Sequence, residues 1–164
     1  MTTTTLSKAK QLERFIDALG LRYFAGREFT PYWSRSRRGV RNGVPPEVLW
    51  RNVIPVLVVL DHFRHAHGAP VSMTSTYRRP AYNAVLPDTA PDSYHMDFVA
   101  IDFQSTKGTP AQWAARLDAM RGKRYPLPSG QGLIEFRGGI GIYDTFCHVD
   151  TRGYDFDWDR RKRR

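Results

Sequence analysis

Gly138–Gly153 reads GGIGIYDTFCHVDTRG, and the rest of the chain is best read outward from it. In its second half, Phe146–Thr151, successive side chains suit opposite faces of a β-strand. His148 and Asp150 are two apart and therefore share a face, with Phe146 beside them. Cys147, Val149 and Thr151 take the other face and can serve a core. One strand thus sets an imidazole next to a carboxylate. The plain alternative is an ordinary surface pair.

A second stretch, Ser93–Phe103 (SYHMDFVAIDF), changes that balance. Phe98–Phe103 predicts a strand, and Asp102 lies in it between Ile101 and Phe103. A carboxylate in such an apolar run is costly unless it is paired or bound to a metal. His95 and Asp102 are seven apart, so on one continuous strand they would face opposite ways. The chain must bend between them to bring them together. Two neutral imidazoles and one carboxylate are the ligand set of a hydrolytic zinc site with an open fourth position. His95, Asp102 and His148 are therefore the candidate metal ligands. Asp150 is the candidate catalytic base, placed to accept a proton from the attacking water. Its other possible role is to orient the imidazole of His148. Asp144 falls at a turn, where Asp is common for structural reasons. His62, His65 and His67 read as surface or helix-end residues.

The same stretches resemble a known family. S-x-H followed by V-A-I-D resembles the first metal motif of the zinc D-alanyl-D-alanine carboxypeptidases, S-x-H-x-x-G-x-A-x-D. GGIGIYDTFCHVDTRG resembles the second motif of one branch, G-x-G-x-Y-…-F-V-H-V-D-x-R-G. Ser75–Asn83 (STYRRPAYN) resembles the S-G-Y-R-S-P-x-Y-N stretch that precedes both, and the likeness spans roughly residues 21–153. The resemblance implies a Hedgehog-type zinc fold and zinc-dependent hydrolysis of peptidoglycan stem peptides or cross-links. It makes His148 a zinc ligand and Arg78 the arginine that binds substrate carboxylate or carbonyl groups. There are two departures. Phe98 stands where the family usually has Gly, and Thr145 stands where other branches have Glu or Asp. These departures motivate an alternative, a catalytically inactive zinc-containing module that binds the wall.

Composition narrows the class. At 164 residues with 41% hydrophobic content, one folded domain is expected, with residues 1–5 and 155–164 loose. The single cysteine, Cys147, excludes an internal disulfide framework and reads as a buried structural thiol. MTTTTLSKAKQLERF has no apolar segment of the signal-peptide kind, so synthesis in the cytoplasm and separate delivery to the wall, as for a phage lysin, are expected. The longest apolar run, Val53–Leu60, is too short to span a membrane. The formal net charge of +9 favours polyanionic partners, an acidic wall polymer among them. The basic residues cluster at Arg35, Arg37, Arg38 and Arg41, and again at Arg160–Arg164. The aromatics do not interleave with these clusters, so no specific nucleic-acid binding is expected; a monomer is.

Helices are expected at Leu6–Leu19, from Pro45 to His67 with a kink or break at Pro55, at Pro80–Val85, and from Thr109 to Met120. Strands are expected at Val71–Tyr77, Phe98–Phe103, Leu133–Tyr143 and Phe146–Thr151, with loops at 21–44 and 121–132. Helices first, then strands interrupted by one helix, imply an α+β fold. A small antiparallel sheet would carry the zinc site.

Overall fold

The computed structural model describes residues 6–162, so the expectations for residues 1–5, Arg163 and Arg164 lie outside the described residues. The chain is a mixed α+β structure. It opens with α1 (Lys8–Asp17), whose N-cap Ser7 accepts a hydrogen bond from the Lys10 N–H. Leu12 and Ile16 of α1 are fully buried. The segment expected to be loop-rich holds a short α2 (Thr30–Trp33) and the hairpin β1 (Ser36–Arg37) and β2 (Val40–Arg41). Phe24, Phe29 and Trp33 from this segment enter the core.

A 3₁₀ turn at Glu47–Asn52 runs into α3 (Val53–His67). The break expected at Pro55 therefore falls earlier, between Asn52 and Val53. Pro55 sits in the first turn of α3, where its missing N–H costs nothing. Gly68 ends α3 in the left-handed conformation, φ +67°. Then come β3 (Val71–Ser75), α4 (Pro80–Asn83), β4 (Ala100–Ser105) and α5 (Pro110–Asp118). Thr109 and Gln112 form a reciprocal cap at the start of α5.

The region expected to be a loop contains β5 (Arg124–Pro126), paired with β6 (Leu133–Glu135). The long strand expected from Leu133 to Tyr143 is thus divided, and its second part is β7 (Gly139–Ile142). Gly138 stands at the break. A Cβ there would lie 1.7 Å from the Asp150 carbonyl oxygen, so only glycine permits this approach. β8 (Cys147–Asp150) and β9 (Phe156–Asp159) complete the chain.

The main sheet has the order β3-β4-β8-β7-β9. Its first three pairings are antiparallel, but β9 runs parallel to β7, so the sheet is mixed rather than wholly antiparallel. The loose segment expected from residue 155 is therefore a paired edge strand over Phe156–Asp159. One face of the sheet, with Ile101, Phe103, Ile140, Cys147 and Val149, joins the core against α3 and α5. Cys147 is fully buried on the central strand, and burial pushes its thiol pKa up. The other face carries the polar site.

Candidate metal centre

Asp102 on β4 and His148 on β8 are direct partners in the antiparallel register. Cross-strand partners share a face, so this pairing places imidazole against carboxylate without any irregularity. His95 arrives from the turn before β4. Its carbonyl accepts from the N–H groups of Arg78 (3.1 Å) and Phe98 (3.3 Å), which closes the bend that the spacing requires. Phe98 makes that bend with φ +59°, a left-handed conformation unusual for a residue with a side chain. Its ring is fully buried, edge-on to Phe29 at 6.3 Å and to Tyr77 at 5.9 Å.

His95, Asp102 and His148 are all buried, and one ligand atom from each lies within 4.8 Å of the others. They are the one group of three that can hold a metal ion among the described residues. Each imidazole is anchored from behind. His95 Nδ1 donates to the Thr76 carbonyl at 2.6 Å, which leaves Nε2 with its lone pair 3.1 Å from Asp102 Oδ1. That Nε2 is buried and has no hydrogen-bond partner. His148 Nε2 faces Asp150 Oδ2 at 2.9 Å, which leaves Nδ1 toward Asp102 Oδ1 at 2.8 Å. Two ring nitrogens thus converge on one carboxylate oxygen, each opposite a fixed acceptor. A divalent cation of the zinc type fits this donor set, and it would satisfy the orphaned His95 nitrogen.

The electrostatics agree. Burial, with the Arg78 guanidinium nearby, lowers the His95 pKa to about 4, so the ring is neutral. Burial alone would raise the Asp102 carboxyl, but the two imidazoles outweigh it and hold it well below the usual range. Burial would likewise lower His148, but Asp102 and Asp150 overcome that and raise it.

Arg78 lies within this network. Its Nη2 donates to Asp102 Oδ2 at 2.7 Å and its Nε to Ser75 Oγ at 2.9 Å. Asp150 is fully buried, and every acceptor position on it is engaged. Oδ1 accepts from the Gly139 N–H, the Arg152 N–H and Arg152 Nε; Oδ2 accepts from Arg152 Nη2 and faces His148. Burial would raise its pKa, but Arg152 and His148 together depress it strongly. Gly139 is needed here, because a Cβ would lie 2.5 Å from Asp150 Oδ2.

Other sequence candidates separate cleanly. Asp144 accepts from the Lys162 N–H at 3.1 Å, a structural bond. His62 and His65 contact Arg22 and Tyr23, and His67 is buried against Ser105 and Phe63. Ser93 Oγ accepts from the His95 N–H at 3.4 Å.

A family model described as peptidase M15 matches residues 22–150. The chain belongs to the peptidase M15 family. This is the zinc D-alanyl-D-alanine carboxypeptidase type that the three motifs resemble, and it makes the protein a zinc peptidase of the cell-wall hydrolase kind. No curated protein and no solved structure matches the chain. Within this M15 chain, three participants were not legible as such. Arg152 follows His148 and Asp150 at the same strand period, so its place on their face could have been read. Trp158, whose indole lies 4.9 Å from the His148 ring, belongs to the unforeseen β9; the alternation in Phe156–Asp159 (FDWD) was its signal. The Thr76 carbonyl left no trace in the sequence, because a backbone acceptor has no residue type.

Proposed function

We propose that the protein hydrolyses peptide bonds in peptidoglycan stem peptides or cross-links, with His95, Asp102 and His148 as the zinc ligands. The observation that carries this reading is the buried trio in an M15 chain, with each imidazole held from behind by a protein acceptor. Zn²⁺ bound there would polarise the scissile carbonyl and make a water acidic enough to attack at neutral pH. The chain's own residues prepare that chemistry. Thr76 and Asp150 fix the two rings, so that Nε2 of His95 and Nδ1 of His148 are presented as lone pairs. Arg78 steadies Asp102, and its Nη1 makes no hydrogen bond among the described residues. That edge of the guanidinium suits a stem-peptide carboxylate or the oxygen that gains charge during attack.

For Asp150 the geometry supports the orienting role over the base. A base must reach the water it deprotonates, and its pKa must lie near the working pH. Asp150 is enclosed, saturated with donors and strongly depressed. We therefore assign it as the positioning residue for His148. The adjacency of the ligand strands β4 and β8 also supports the Hedgehog-type arrangement implied by the motifs.

The test is mass spectrometry of purified peptidoglycan after digestion by zinc-loaded protein, with a chelated control. Chelator-sensitive release of defined peptides is expected, and their masses identify the bond. Folded, zinc-bound protein that releases nothing from several wall types would overturn the hydrolase reading in favour of the wall-binding module.

A further inference from the structure

A row of rings beside the metal site takes no part in the chemistry above. Phe156 and Trp158 lie two apart on β9 and so share a face, in register with Gly139 and Gly141 of β7. Trp158 starts the row against His148 and donates its indole N–H to the Tyr143 hydroxyl at 3.0 Å. Phe156 follows, 5.8 Å from Trp158 between ring centroids. Tyr154 and Tyr94 continue it, with their hydroxyls 3.2 Å apart. The Arg152 guanidinium ties the rings together, 4.1 Å from the Tyr94 centroid, 5.2 Å from Phe156, 5.4 Å from Trp158 and 5.7 Å from Tyr154. A Cβ at Gly141 would lie 2.3 Å from the Trp158 indole, so the glycine lets that ring lie across the sheet.

The outer rings face water. Tyr154 is 54% exposed and Phe156 is 51% exposed. An exposed apolar patch rimmed by polar groups marks an interaction site. The chemistry of this patch is mixed: flat ring faces, with phenol hydroxyls and a guanidinium at their edges. A pyranose ring has the matching form, a C–H face bordered by hydroxyl and amide groups. The inner part of the platform is held by the Trp158–Tyr143 bond and by Arg152, so a flat ligand costs little side-chain entropy on docking. The row is also continuous with the metal site, since its first ring packs on a metal-ligand histidine.

We propose that Tyr94, Tyr154, Phe156 and Trp158 bind the amino-sugar strand that carries the scissile peptide. This inference rests on the cell-wall peptidase reading of the site. It adds a sugar-binding subsite to the peptide site.

The experiment compares two soluble substrates, a stem peptide with and without its N-acetyl amino-sugar disaccharide. The proteins are the zinc-loaded wild type and the double variant Tyr154→Ala, Phe156→Ala, both positions being exposed enough to spare the fold. Calorimetric titration with the disaccharide alone, on chelated protein, runs in parallel. The wild type should prefer the sugar-bearing substrate by about tenfold in kcat/KM, mainly through KM. In the double variant this ratio should fall to about one, and disaccharide binding should be lost. Equal use of both substrates by the wild type, or an unchanged ratio in the variant, would overturn the proposal. If the wild type cleaves neither substrate, the peptidase reading has failed, and the titration alone decides the sugar site. Self-association of the wild type that the double variant abolishes, without disaccharide binding, would assign the rings to a second copy of the chain instead.

Discussion

Substitution of Phe98 tests whether the bend that delivers His95 is as strained as its backbone implies. Phe98→Ala removes a fully buried ring and its edge contacts to Phe29 and Tyr77, a loss of about 3–5 kcal/mol. The alanine keeps a Cβ in the left-handed conformation at φ +59°, which costs about 1–2 kcal/mol relative to glycine. Phe98→Gly loses the same ring but relieves that strain. Against this stands the greater freedom of glycine in the unfolded chain, about 0.5–1 kcal/mol. The glycine variant should therefore be the more stable of the two by about 0.5–1 kcal/mol. At an ordinary buried position the order is reversed, so the sign alone is diagnostic. Urea unfolding followed by circular dichroism, with both proteins chelated, reads the difference as a midpoint higher by about 0.25–0.5 M at a slope of about 2 kcal/mol/M. A glycine variant no more stable than the alanine variant would refute the strained-bend argument.

Three further outcomes follow from the site. Asp150→Asn leaves the Arg152 guanidinium without its charged partner, so stability should fall by about 3–5 kcal/mol and zinc affinity by about 10–100-fold. Chelator competition showing unchanged affinity would remove Asp150 from its positioning role. Gly141→Ala drives a methyl group into the Trp158 indole and should cost about 1–3 kcal/mol, with a shift in near-ultraviolet circular dichroism; an unshifted spectrum would contradict the packing described. Zinc affinity should fall with acidification once pH drops below the raised His148 pKa, with a slope of about one proton, because protons compete for His148 there while His95, lowered to about 4, takes none up. In the metal-free protein the same raised value adds stability below about pH 6.5 that is lost as pH rises through the folded pKa. A slope of two would mean that both rings hold protons near neutrality.

The grouping of His95, Asp102 and His148 was legible because strand period and residue type together constrain it. His148 and Asp150 share a face by counting alone, and the register then sets Asp102 opposite His148. The odd spacing from His95 correctly demanded a bend. What it could not show was that Phe98 itself adopts the left-handed turn, since its preference there is overruled by the pocket its ring fills between Phe29 and Tyr77. The identity of the anchors behind the rings was hidden for a related reason. Thr76 acts through its carbonyl, and the role of Asp150 depends on Arg152 closing over it, a tertiary fact. β9 escaped because four residues of alternating aromatic and acidic type, followed by a basic run, look like a solvated tail when their partner is unknown. β5 was missed amid the prolines and glycines of 121–132, which dominate any local reading.

Cys147 gives the central strand a natural reporter. It is the chain's single sulfhydryl, enclosed on β8 between β4 and β7. With no second thiol to join, Cys147 forms no disulfide within the chain. A thiol reagent can reach Cys147 only when the sheet parts, so the labelling rate measures how often the strands that carry Asp102 and His148 separate.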